Sequence, residues 1–383
     1  MSLPNVQFIS RPLLDMTWGH PAPALLPAEA LQQAVTKALA DGGLTALPYG
    51  AEQGYGRLIE LLCARIGHLE GVAPPPTRLA ITGGISQAID HLCTLLTKPG
   101  DIALVEAPTY HLALRILRDR GLRMVAVPAD EQGMCLDTLA ETIGELAARG
   151  ERARLFYSVP TSSNPAGGLM GVERRVALAE LAAAHDLILL EDDAYREIYF
   201  ADPPPPAIAT LCPDAPVVRL GSFAKCLAPG LRLGWITAPE ELVIRWRKSG
   251  LLDSGGGVNH FTSCAVAELV ASGELDRNTE RLRAAYRQRR DTLLAALAAH
   301  LPTGSSVGPT AGGFFAWVRL PAGYDTTAML PIAEEAGVAY IPGERFFANG
   351  SGHEYLRLSF SLLPLDQLTE GVRRLGEVLA AQS

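Results

Sequence analysis

VVRLGSFAKCLAPGLRLGW, residues 217–235, holds a lysine in a setting that solubility alone does not explain. Val217, Val218 and Leu220 read as a buried strand, Gly221-Ser222 as the turn that ends it, and Gly234 onward as a second strand. Lys225 follows the turn, flanked by Phe223, Ala224, Cys226 and Leu227. Desolvation there lowers the pKa of the ammonium and leaves an amine able to add to a carbonyl. Ser222, three residues before it, and Arg232, seven after, supply a hydroxyl and a guanidinium, donor types that hold a phosphate dianion. The chain has only four lysines against 29 arginines, and Lys37, Lys98 and Lys248 all stand in contexts that read as solvated. The combination points to a phosphorylated aldehyde cofactor, pyridoxal phosphate; a buried strand end with one snorkelling lysine shares the local pattern.

At 383 residues the chain exceeds the roughly 250–300 at which one hydrophobic core stops growing, so more than one domain is expected. Hydrophobic residues make up 48%, ample for packed cores. A net charge of −8 argues against nucleic acid or an acidic membrane surface as main partner. The six cysteines are scattered with no C-x-x-C pair, the pattern of neither a zinc site nor a disulfide framework, and suit a reducing compartment. Met1 to Arg11 lacks the features of a signal peptide and no 18-residue apolar run exists, so a soluble cytoplasmic protein is expected.

Outward from Lys225, short apolar runs alternate with amphipathic helical patterns: 79–82, 102–106, 123–128, 154–158, 187–191, 217–221 and 234–237. Their near-continuous Val/Ile/Leu character predicts a mainly parallel, seven-stranded sheet covered by helices on both faces, an α/β architecture. Ligands bind such sheets beyond the carboxyl ends of the strands. Gly83-Gly84-Ile85-Ser86 follows the first run and opens a helix, offering backbone N–H groups and a positive dipole end to an anion. Tyr110 follows the second run, and a polar turn containing Asn164 the fourth. Glu191-Asp192-Asp193 ends the fifth, and three carboxylates there are costly without a cation. A metal is the rival reading, but no histidine is near in sequence; a protonated pyridine nitrogen over one carboxylate answers better.

The proline-rich residues 1–28 read as an extended arm. Asp253 to Gly257 reads as a flexible loop, and the arginines of 275–300 as a solvated helix face. From Gly312 a smaller α+β pattern begins, in which Arg357 sits inside an apolar strand and needs a carboxylate; an edge-strand surface arginine is the plain alternative. The expected division is an arm and helix (1–44), a large domain (45–272) and a small one (273–383).

The segments TGGISQAID (82–90), EAPTY (106–110), SSNPAG (162–167), EDDAYRE (191–197), GSFAKCLAPGLRLGW (221–235) and YLRLSF (355–360), in this order, resemble the fold-type I pyridoxal-phosphate aminotransferases of class I/II. The likeness is closest to the branch of 2-aminoadipate aminotransferase and the aminotransferase-like domain of MocR regulators. The resemblance implies Lys225 as cofactor attachment point and proton shuttle, Asp192 on the ring nitrogen, and Asn164 and Tyr195 on the ring hydroxyl. It places Tyr110 over the ring, and Gly84, Ile85, Ser86, Ser222 and Arg232 around the phosphate. It also implies Arg357 on the substrate α-carboxylate, with Asn164 and Gly19 beside the substrate. Amino acids and 2-oxoacids are the implied substrates, and the implied assembly is a homodimer in which Tyr49 reaches the neighbour's phosphate.

Ala224 and Cys226 stand where many relatives carry Ser and Thr, the arm reads Trp18-Gly19-His20 where Gly-Gly is expected, and Glu344-Arg345 replaces small residues. Arg11 and Arg345 are therefore the cations to weigh for an acidic substrate side chain. A pyridoxal-phosphate lyase or decarboxylase, and a ligand-sensing domain, are the alternatives; the chain opens almost directly on the arm, so no DNA-binding domain is expected.

Overall fold

The computed structural model describes residues 13–382. Its strands are β1 (Leu14–Asp15), β2 (Leu79–Thr82), β3 (Ile102–Ala107), β4 (Arg123–Asp130), β5 (Gly133–Met134), β6 (Ala153–Ser158), β7 (Ile188–Asp192), β8 (Val217–Ser222) and β9 (Gly234–Thr237). They are followed by β10 (Ser306–Val307), β11 (Phe315–Arg319), β12 (Val338–Ala339), β13 (Ile341–Pro342) and β14 (Tyr355–Ser359). The helices that position the site are α1 (Ala28–Ala38), α2 (Gly56–Glu70), α3 (Ile85–Leu96), α4 (His111–Asp119), α5 (Leu136–Ala148) and α6 (Val172–Ala184).

The main sheet runs β2-β9-β8-β7-β6-β3-β4-β5, eight strands where seven are expected from sequence. The extra one, β5, is a two-residue antiparallel partner of β4, too short to leave a periodic signal. Strands β8, β7, β6, β3 and β4 pair in parallel, while β9 runs against both β8 and β2. Apolar clusters pack both faces: Leu92, Val105, Tyr157, Leu190 and Leu220 on one, Leu104, Phe156, Leu178 and Leu189 on the other. This two-sided burial is why the strands read as unbroken apolar runs rather than alternating ones.

A second sheet, β10-β11-β14-β13, is antiparallel, and β1 adds in parallel to β12 through Leu14↔Val338 and Asp15↔Ala339. The β1-β12 pair is a separate two-stranded sheet, and the arm is tied to the four-stranded one where the Ser359 N–H of β14 donates to the Met16 carbonyl at 2.8 Å. Arg357 pairs with Trp317 on one side and Ile341 on the other, so it lies in an interior strand and the edge-strand reading fails. The segment expected to be a flexible loop instead forms a short helix, Gly250–Gly255, closed by Gly256 at φ 64°, a left-handed conformation that glycine adopts without strain. Nor is the arginine face of 274–300 merely solvated: Arg283 donates to the Glu197 carbonyl and lies over the Tyr199 ring, and Arg289 donates to the Ser361 carbonyl. No helix among the described residues is long and apolar enough to cross a membrane.

Candidate active site

Lys225 leaves the end of β8 through the turn that its sequence announces, with Ala224 N–H donating to Ser222 Oγ at 3.0 Å. Its Nζ lies 5.6 Å from the centre of the Tyr195 ring and 5.7 Å from that of Phe314, and donates to the Gly19 carbonyl at 2.8 Å. Burial and then the Arg357 charge lower its pKa to about 8, with Arg232 adding to the effect and Asp192 opposing it. The side chain keeps some exposure, on the side where Ser86 and Arg232 are exposed.

The three carboxylates at the end of β7, Glu191 and Asp192 within it and Asp193 just after, part company as strand alternation requires. Glu191 accepts from the N–H groups of Ile208 and Ala209 and pairs with buried Arg175 at 3.4 Å. Asp193 accepts from Arg196 and, at 2.9 Å, from Arg219 Nε, in a buried network with Glu70. Asp192 points the other way. Its Oδ2 takes the Tyr157 hydroxyl at 2.6 Å and its Oδ1 the Ala194 N–H at 3.2 Å. It makes no ion pair with a described residue, and burial pushes its pKa up to about 6 despite those two donors. A cation facing it would relieve that cost.

At the N-terminus of α3, Gly84 takes φ 91° and no side chain caps the helix, so the N–H groups of Ile85 and Ser86 are left for an anion. A Cβ on Gly84 would stand 3.1 Å from Arg232 Nη2, which itself donates to the Gly83 carbonyl at 3.3 Å. Gly84, Ile85, Ser86, Ser222 and Arg232 thus line one open cradle, sized by the missing side chain.

Arg357 is 3% exposed and no carboxylate of a described residue pairs with it. Its nitrogens donate to Asn164 Oδ1 at 2.8 Å and the Thr17 carbonyl at 2.7 Å, while its buried Nε has no partner. Phe315 and Phe346 cover its guanidinium at 3.8 and 5.0 Å from their ring centres. Burial lowers its pKa to about 10. Residues 17–20 of the arm therefore run between Arg357, Lys225 and Ser361, whose hydroxyl donates to the His20 carbonyl at 2.7 Å.

Tyr195 and Asn164 are buried within this group, and Tyr110 stands at the start of α4, where burial and the Asp192 charge push its pKa up to about 12. Tyr49 is not brought in: it is 88% exposed. Arg11 lies outside the described residues, and Arg345 is exposed on the turn Gly343–Phe346.

The profile of the family "Aminotransferase class I and II" matches residues 16–375. The chain belongs to that family. The aromatic-amino-acid aminotransferase 1 of Thermococcus litoralis is 34% identical over 369 residues, 96% of this chain and 88% of that one. A kynurenine aminotransferase structure from Pyrococcus horikoshii, solved with PMP, superposes with a TM-score of 0.92 at 33% identity, covering 97% of this chain and 92% of that one. The α-aminoadipate aminotransferase of Thermus thermophilus, complexed with N-(5'-phosphopyridoxyl)-L-leucine, gives 0.87 at 34% identity, covering 97% and 93%. The aminotransferase is accordingly of fold type I and pyridoxal-phosphate-dependent. Its own residues fit that group: an anion cradle, a lone buried carboxylate and an amine of lowered pKa lie around one site.

Sequence reasoning missed three residues that pack around the candidate site. Tyr157 on β6 bonds Asp192. Glu106 at the end of β3 accepts from the Ser158 hydroxyl at 2.5 Å and the Val159 N–H at 3.1 Å, and burial raises its pKa to about 7. His111 packs 4.9 Å from Phe346, and burial with the Arg357 and Arg345 charges lowers its pKa to about 3. His111, directly after EAPTY, could have been found; a tyrosine inside an apolar run could not.

Proposed function

We propose that the enzyme moves the amino group of an α-amino acid to a 2-oxoacid such as 2-oxoglutarate in two half-reactions, the first oxoacid leaving before the second binds. The observation that carries this reading is Arg357. A buried guanidinium without a counter-ion among the described residues, clamped by Asn164 and Thr17, is a seat for the α-carboxylate common to both substrates. Thr17 and Gly19 are two residues apart, so a carboxylate at Arg357 sets the α-amino group toward Lys225, which contacts Gly19.

Bound pyridoxal phosphate supplies an aldehyde for amines and a ring that takes up electrons. Lys225 carries it and, once released, moves the α-proton, for which a pKa near 8 is well matched. Asp192 holds a proton at the ring nitrogen, and Tyr195 and Asn164 serve the ring hydroxyl. Tyr110 covers the ring, and Gly84, Ile85, Ser86, Ser222 and Arg232 hold the phosphate. Leu44, Leu47 and Tyr49, which are 80%, 66% and 88% exposed, form the face through which a second copy docks, with Tyr49 reaching its phosphate cradle. The enzyme works as a cytoplasmic homodimer.

The test is to reduce the purified yellow protein with borohydride and map the pyridoxyl peptide, then offer a panel of amino acids with 2-oxoglutarate while following glutamate and pyruvate. A label on Lys225 with glutamate formed supports the reading; a label elsewhere, or pyruvate without glutamate, overturns it.

A further inference from the structure

Among the described residues, one side chain on a neighbouring strand donates to Asp192. Tyr157 is completely buried on β6, and its hydroxyl meets Asp192 Oδ2 at 2.6 Å; the other oxygen is met by a backbone N–H at 3.2 Å. Asp193, one residue on, has two arginines instead. As a core ring alone, Tyr157 would be better served by phenylalanine, since a buried hydroxyl costs free energy unless it finds an acceptor.

We propose that Tyr157 is a positioning residue for transamination: its hydroxyl keeps Asp192 a carboxylate, so that the shared proton stays on the cofactor's ring nitrogen. The inference rests on Asp192 facing that nitrogen. The groups around Asp192 are Tyr157 on β6, Glu106 on β3, Asp193 beside it, Lys225 after β8, and Tyr110 and Tyr195. Of these only Tyr157 hydrogen-bonds it through a side chain, which favours its charged form against burial and the Asp193 charge. Burial and the Asp192 charge hold the Tyr157 phenol far above its ordinary range, so it stays a donor wherever the enzyme works. Without that bond Asp192 becomes the stronger base, the proton moves toward it, and the ring loses the charge that draws electrons.

The test uses holoenzyme reconstituted with pyridoxal phosphate labelled with ¹⁵N in the ring, following the nitrogen signal by NMR against pH. Tyr157→Phe should lower the pH at which the nitrogen loses its proton and slow the glutamate half-reaction about tenfold or more, the worth of one hydrogen bond to a charged group. Placing 3-fluorotyrosine at position 157, a more acidic donor of nearly the same volume, should raise that pH; this arm decides if the phenylalanine variant does not fold. A packing role would change stability and leave both midpoints where they are, and that result overturns the proposal. Asp192→Asn is the control. If it too leaves the nitrogen unmoved, the placement of Asp192 has failed; if it shifts the nitrogen and neither Tyr157 variant does, only the present inference has.

Discussion

Replacing Asp192 and Asp193 in turn by asparagine should separate chemistry from stability at two adjacent positions. At the ring nitrogen, a carboxylate about 3 Å from a cationic centre contributes about 5 kcal/mol at an effective dielectric of about 20, or between three and four powers of ten in rate. Asp192→Asn removes that charge, keeps the volume, and leaves an amide oxygen that still accepts from Tyr157, so the fold should barely notice. Asp193→Asn does the opposite. It uncouples a buried carboxylate from Arg196 and Arg219, and breaking one partner of a buried ion pair costs roughly 3–5 kcal/mol. Thermal unfolding of the apoenzymes reads the stability. Stopped-flow spectra of the glutamate half-reaction, normalised to bound cofactor, read the chemistry. The expected result is a stable, nearly inert Asp192→Asn and an unstable, active Asp193→Asn. A reversed order of half-reaction rates would refute the assignment of Asp192, and equal stabilities would refute the account of the Asp193 network.

Two further outcomes follow from the same geometry. Glu106 has its folded pKa raised to about 7 from 4.5, so the folded state binds the extra proton, and this group's contribution to stability falls as pH rises from about 4.5 through 7. Relative to wild type, apo Glu106→Gln should therefore gain about 2–3 kcal/mol between pH 4.5 and 8 in urea titrations; a pH-independent difference would contradict the buried-acid reading. If Tyr49 completes a neighbour's site, mixing inactive Lys225→Ala with Tyr49→Ala protein should restore part of the activity, since one of the hybrid's two sites is intact; no recovery in verified hybrids would exclude sharing through Tyr49.

How far the sequence could be read follows from which side chains announce their surroundings. The parallel strands were legible because two-sided burial leaves unbroken Val/Ile/Leu runs, and Lys225 because a charged group in such company demands an explanation. Direction was not: Gly234–Thr237 presents the same apolar run whether it lies with or against its neighbours, and only the pairing of Gly234 with Thr82 and Ser222 reveals that it runs against them. Glycine misled at Gly255-Gly256-Gly257, where a residue that permits a loop also closes a helix.

The site shows the same asymmetry. Alternation sets Asp192 apart from its neighbours and the spacing of three residues to Tyr195 selects it, but what holds each carboxylate comes from residues distant in sequence: Arg219 and Glu70 for Asp193, Tyr157 for Asp192. Tyr157 differs from a core phenylalanine by one oxygen, and that oxygen has meaning only once β6 and β7 are aligned side by side, with Tyr157 opposite Leu190 and its hydroxyl reaching the strand end at Asp192. The residues proposed to touch the cofactor carry charge or break a pattern, and so stand out along the chain. Tyr157, proposed to set the charge of Asp192, is uncharged and buried, and the fold must be known before its polar atom can be told from packing.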